Sequence, residues 1–341
     1  MAATARFIMK AVTFATIKRF LRFSAHLQLL PILEGGEETL IGGQAVMEGV
    51  MMLAPHSCCI AVRKPDGEIV THEHPVAKFT DKHPLFKLPI LRGLARIGQT
   101  LVLGAKATKF SFNTALGPEL AKEGEAPAEI SSNMLTLGFV LALLLFIGLY
   151  KVVPLYLATQ IGHHVHALSS RLAINITDGL IRIAILLGYL YALSLPKDMR
   201  RIFQYHGAEH KAVFNFESGK PLTIENTHKF TTFHPRCGTC FLFVIVVMAL
   251  VLYAFLPVDG FLAKLALRIL LLPLVVGLSY ELIRYAARRE GTLLNLVTLP
   301  GLWLQRITTK NPDDTQAAVA LHALSGAMEL EAKQGGTLVV A

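Results

Sequence analysis

The sequence predicts an α-helical polytopic membrane protein of about four transmembrane helices, with a small N-terminal cytoplasmic β unit and a cytoplasmic His/Cys loop. Three observations lead there. Hydrophobic residues make up 53% of the 341-residue chain and charged residues only 17%, whereas a soluble domain is nearer a quarter charged. Apolar runs of the ~20 residues needed to cross a bilayer recur four times. The histidines, cysteines and acids able to do chemistry gather between the second and third of these runs.

Five segments follow in order: a basic N-terminal segment (1–37), a β-rich unit (38–88), an amphipathic helix with an acidic linker (89–133), a helical membrane domain (134–310) and a C-terminal helix and tail (311–341). Residues 1–33 place Arg6, Lys10, Lys18, Arg19 and Arg22 among apolar residues, with no acid before Glu34. That pattern suits a targeting presequence or an amphipathic helix on a membrane surface, and the scarcity of serine favours the helix. Next, 57–63 and 68–74 are β-prone runs bracketing Lys64-Pro65-Asp66-Gly67, a turn sequence. Adjacent Cys58 and Cys59 would then point to opposite faces of the strand as packing residues. Ahead of them, Gly42 and Gly43 permit either a close backbone approach or a plain bend into a strand.

From Pro89 to Phe112 the chain is basic, rich in small residues and amphipathic, fit to lie along a membrane or against a bundle. Residues 118–129, with four glutamates and two prolines, read as a solvated linker. The spans fall at about 134–158, 176–195, 240–256 and 262–283. Lys151, near the far end of the first, is expected to snorkel to the interface. The run 293–304, broken by Pro300 and Gly301, suits an interfacial or re-entrant piece. Finally, Pro312-Asp313-Asp314 starts a helix expected to reach about Lys333.

Basic residues set the expected orientation. Loop 197–239 holds Lys197, Arg200, Arg201, Lys211, Lys220, Lys229 and Arg236, whereas the loop near 159–175 has only Arg171. The positive-inside rule puts loop 197–239 and both termini in the cytoplasm, as in a bacterial inner membrane. The net charge of +9 then reads as contact with anionic lipid, with no nucleic acid expected. All four cysteines face the reducing side, so disulfides are not expected.

His206 and His210 stand four apart, on one face of a helix, with Glu209 beside them. The order H-x-x-E-H is that of inverted zincins, in which two imidazoles bind zinc and the carboxylate is the general base. Glu217, two turns on, is a candidate third ligand, with Glu225 in reserve. His234-x-x-Cys237-x-x-Cys240 offers softer ligands that either complete the His206/His210 site or simply begin the third span. Glu281, at the end of the fourth span, is either the ion-pair partner of Arg284 or a contributor to a cytoplasm-facing site. His163, His164 and His166 lie in an exposed loop and read as solvated surface.

Four motifs in order (42–52, 205–211, 234–239 and 300–305) resemble the YqhQ-like proteins, designated domain of unknown function 1385, over about residues 40–325. That family is described as predicted metal-dependent membrane enzymes. The resemblance implies His206, Glu209, His210, His234 and Cys237 as site residues and adds Gln44 and Glu48, the latter with a catalytic role. A serine is common in the family where this chain has Cys240, which argues against Cys240 as an obligatory ligand. The leading expectation is a hydrolytic enzyme with a divalent metal, zinc by its ligands, at the cytoplasmic face. Glu209 and Glu48 would be catalytic, and His206, His210, Cys237, His234 and Glu217 would supply the ligands. The bilayer suggests a lipid-linked or membrane-protein substrate. A scaffold or assembly factor with a structural metal is the alternative. A transporter ranks third, because the spans show few ionisable groups and no inverted repeat.

Overall fold

The structure, a computed structural model, describes residues 41–77, 84–117, 129, 131–235, 237–287 and 295–334. The basic N-terminal segment, most of the acidic linker, Arg236 and the end of the tail lie outside the described residues. Four strands, β1 Gly42–Val46, β2 Gly49–Leu53, β3 Ser57–Arg63 and β4 Ile69–Pro75, form an antiparallel sheet in sequential order. The expected turn joins β3 to β4: Lys64 N–H donates to the Glu68 carbonyl at 2.8 Å, and Gly67 takes the left-handed conformation, φ 91°.

The helices are α1 Leu91–Ser111, α2 Ser132–Ile147, α3 Val153–His164, α4 Arg171–Leu193, α5 Lys197–Glu217 and the short α6 Ile224–His228. After these come α7 Gly238–Ala254, α8 Phe261–Leu270, α9 Leu272–Ala287, α10 Asn295–Thr308 and α11 Asp314–Lys333. A wider π turn, Gly148–Val152, joins α2 to α3.

Both faces of the sheet are covered. Val50, Met52, Cys59 and Ala61 pack with Tyr205, Ala208 and Ala212 of α5 and Val319, Ala323 and Leu324 of α11. On the other face Met51, Cys58, Ile60 and Val62 pack with Leu103 and Ala107 of α1. A strand buried on both sides has no use for polar alternation, which is why β2 and β3 read as continuous apolar runs. Cys58 and Cys59 do face opposite ways, and burial pushes their thiols up to about 11 and 12 respectively. They are packing groups.

The C-terminal helix begins where expected. Asp313 caps α11 with a reciprocal Gln316 bond, a capping box. Rather than trailing from the fold, α11 supplies much of the sheet's cover. At its far end the buried Glu331 carboxylate accepts from His56 N–H at 2.9 Å and Ser57 Oγ at 2.8 Å and lies 2.7 Å from His56 Nδ1.

Among the described residues, two helical stretches are long and apolar enough to cross a membrane: Thr136–His164 and Arg171–Leu193. A third is the pair α8–α9, bent by 47°. The expected third span, α7, is a shorter apolar helix of 17 residues. So two or three helices among the described residues, rather than four, meet the length. Arg171 and Asp259 pair at 2.6 Å, which brings loops 165–170 and 255–260 to one end of the bundle. His163, His164 and His166 are exposed there, as expected.

The apolar helices are less uniformly apolar than the sequence suggests. Lys151 does not snorkel: it is buried in the π turn, with Nζ 3.4 Å from the Tyr253 hydroxyl. Asp178, Arg182, Lys264 and Arg268 are buried as well. Starting the second span at Arg171 instead of Ile176 takes in Asn175 and sets it one turn from Asp178.

Candidate metal centre

Helix α5 is squeezed from two sides, and glycines mark both contacts. A Cβ on Gly207 would lie 1.9 Å from the Lys310 carbonyl oxygen, because the chain leaving α10 runs directly against α5. That approach lets Lys310 N–H donate to the Phe203 carbonyl at 2.9 Å and brings the Thr308 carbonyl within 2.9 Å of His206 Nδ1. On the sheet side, a Cβ on Gly43 would lie 2.8 Å from Glu209 Cγ. Gly43 therefore makes the close approach, and its N–H bonds the Glu209 carboxylate.

His206, His210 and Cys237 each bring a ligand atom within 4.8 Å of the other two. His206 Nε2 stands 3.2 Å from Cys237 Sγ, and the two imidazole centroids are 4.4 Å apart. A tetrahedral zinc with Zn–N near 2.0 Å and Zn–S near 2.3 Å separates adjacent ligand atoms by roughly 3.5 Å. The cluster has that scale. His210 Nδ1 lies 2.5 Å from the Thr232 carbonyl, so each imidazole has its Nδ1 on a backbone acceptor. A carbonyl can only accept; each Nδ1 then carries the proton, and each Nε2 turns its lone pair inward. The donor set fits a divalent metal of zinc's character.

Local structure explains why Cys237 is in position. It is the N-cap of α7, its sulfur accepting from Thr239 N–H at 3.4 Å. Before it, the buried Gln305 side chain grips His234: its Oε1 accepts from His234 N–H and its Nε2 donates to the His234 carbonyl, both at 2.7 Å. Gln305 Nε2 also lies 3.0 Å from Cys240 Sγ, and Gly301 packs on Cys240. Cys240, in α7, thus packs against α10. Gln305, Thr232 and Thr308 were not expected as site residues. The two threonines act through carbonyls, which every residue has, whereas a glutamine in an apolar helix is a readable signal.

The remaining expected residues fall into two groups. His234 and Glu217 are neighbours of the cluster, outside its three members: His234 Nε2 is 3.7 Å from the Glu217 carboxylate, and its ring packs between His210 and Phe214. Burial drives the His234 imidazolium down to about 4, against the opposing charge of Glu209, and burial lowers His210 as well. Both rings are neutral near pH 7, the state a metal requires. Glu209 is buried beside them. Burial raises its carboxyl while His206, His234 and Gly43 N–H pull it down, and burial prevails.

The other group sits elsewhere. Glu48 occupies the β1–β2 turn in the left-handed conformation, φ 50°, and its carboxylate accepts from Arg201 Nε and Nη2 and from the Tyr205 hydroxyl, the last at 3.0 Å. It anchors the sheet to the first turns of α5. Gln44 points through the opposite face of the sheet to Gly104 of α1. Glu281 accepts from Arg92 Nε at 2.7 Å and also from Arg92 Nη2, tying α9 to α1. None of these three reaches the cluster.

The family model described as "Protein of unknown function (DUF1385)" matches residues 88–330. The chain belongs to that family. It is also 34% identical over 299 residues to "Uncharacterized protein YqhQ" of Bacillus subtilis (strain 168), an alignment covering 85% of this chain and 93% of the relative. No solved structure matches the chain. The family match spans α1 through most of α11 and so includes all three cluster residues.

Proposed function

We propose that this chain is an integral membrane protein in which His206, His210 and Cys237 hold one divalent ion, zinc by its ligand set, in a site for metal-assisted hydrolysis. The supporting observation is the cluster itself: three ligand atoms within 4.8 Å, with both Nδ1 atoms held by carbonyls. An ion bound there would supply Lewis acidity toward water and a substrate oxygen. Three protein ligands are the number that leaves a fourth position open. Glu209, one residue from His210 and buried, is the group assigned to accept and return the proton. His234, its ring packed between His210 and Phe214, stands beside the site. The start of the bundle helix α7 lies at the site, which favours a lipid-linked or membrane-protein substrate. The basic loop residues favour a cytoplasmic site in a bacterial inner membrane.

A second reading has its own support. His210 and Cys237 are buried and join α5 to the start of α7, as a structural staple would. Metal analysis of the purified protein tests both readings. Wild type is expected to carry one equivalent, and His206→Ala, His210→Ala and Cys237→Ser to lose it. Metal-free wild type, or retention in all three variants, overturns the site. X-ray absorption separates the two roles: an oxygen ligand beside N₂S supports hydrolysis, and four protein ligands support the staple.

A further inference from the structure

The helices that could cross a membrane carry a second polar centre, which shares no residue with the His/Cys cluster. Arg182, the twelfth residue of the 23-residue α4, is 2% exposed, and Arg268 of α8 is 1% exposed. Both pair with the equally buried Asp178: Arg182 Nη2 at 2.9 Å and Arg268 Nη1 at 2.9 Å. Asn175 Oδ1 accepts from Arg268 Nη2 at 2.8 Å. Lys151 is buried alongside, and Lys264 stands one turn before Arg268. Tyr253 forms the hub, its ring 5.2–5.3 Å from Arg182, Arg268 and Lys151.

The two arginines exceed their carboxylate. Among the described residues of this centre, two buried guanidinium groups share the one carboxylate of Asp178, with Lys151 and Lys264 buried beside them, and ionisable groups at such depth need partners or a role. Hydrogen bonding is also incomplete. Arg182 Nε and Nη1 and the Tyr150 hydroxyl are buried and have no hydrogen-bond partner among the described residues. Arg182 thereby keeps three N–H donors beyond the edge used by Asp178.

The backbone is irregular at the same place. Lys151 and Tyr150 lie in the π turn that widens the 29-residue span, and Arg268 lies in the half-helix before the 47° break. Both irregularities recur at ligand sites in membrane helices, where they let side chains and backbone reach a bound ion. A structural ion pair alone would need one arginine for Asp178.

From this we infer that Arg182, Arg268, Lys151 and Tyr150 form an anion-binding site within the helical bundle, for a phosphate-type oxyanion with several acceptor oxygens. The oxyanion supplies the missing negative charge, and its oxygens accept from Arg182 and Tyr150. The same chemistry is offered by free inorganic phosphate and by the phosphate of a phospholipid headgroup. This inference is independent of the His/Cys cluster.

The test uses the full chain in a phosphate-free maltoside detergent, titrated in separate arms with inorganic phosphate and with phosphatidylglycerol, reading the thermal midpoint. At least one arm is expected to raise the midpoint by about 3 °C or more at saturation. A rise with inorganic phosphate identifies a free anion, and a rise with phosphatidylglycerol alone identifies the headgroup. Arg182→Gln is expected to weaken the effective arm about tenfold or more, the loss of charged hydrogen bonds. Should Arg182→Gln not fold, Tyr150→Phe, which keeps the ring, carries the comparison with a smaller weakening. No rise in either arm, or the same titration curve in the folded variant as in wild type, overturns the inference.

Discussion

Gly207 shows how much of this site depends on the absence of a side chain. Helix α5 could not lie against residues 308–310 with any Cβ there, and without that approach His206 would lose its carbonyl partner. Gly207→Ala is expected to cost about 1–3 kcal/mol of stability through overpacking, whereas Gly98→Ala, with open space around it in α1, should be neutral or stabilise by about 0.5–1 kcal/mol. Denaturant unfolding of both variants checks this; equal effects would contradict the packing account. Glu48 supplies a second residue-scale prediction. Glu48→Gln should keep bound metal and lose about 1 kcal/mol or less, since Arg201 is 45% exposed. Loss of metal in Glu48→Gln would return Glu48 to the site. The facing of Cys58 and Cys59 was legible in the strand period alone. The Arg92 partner of Glu281 was not, because the fold brings it from 189 positions away.

Among the elements, α11 carries the clearest pH dependence. Burial raises the Glu331 carboxyl, but bonds from the His56 side chain and backbone and from Ser57 outweigh it and hold the group below the ordinary 4.5. A depressed carboxyl contributes stability that is complete above the unfolded value and lost as pH falls through the folded one. The gap in unfolding midpoint between wild type and Glu331→Gln should therefore be widest near neutral pH and shrink below about pH 4.5. A gap that stays constant from pH 7 to 4 would show that the α11–sheet contact is not ionic. The start of α11 was legible from Asp313 and its helix end from the pattern to Lys333. Its docking was not: a helix with small apolar residues on most sides names no partner, and the sheet it covers lies some 250 residues earlier in sequence.

At the scale of the whole molecule, the bundle end that joins Arg171 to Asp259 lies opposite the start of α7 at Cys237. An alkaline phosphatase fusion in loop 165–170 is expected to be active and one after Lys333 inactive, consistent with opposite sides of a membrane. The reverse pattern would invert the orientation and place Cys237 on the oxidising side. Composition and hydropathy determined that the chain is mostly helical with apolar spans, and local pattern determined the β3–β4 hairpin and the α11 cap. The i, i+4 spacing put His206 and His210 on one helix face. Tertiary structure alone decided that Cys237 is the third member, that His234 and Glu217 stand behind it, and that Gln44, Glu48 and Glu281 serve as packing and anchoring groups elsewhere. It also decided that the charges in the spans converge on Tyr253. The physical reason is the same in each case: periodicity reports which face of an element a residue occupies, whereas a site is made by which faces meet, and that is set by packing between distant segments.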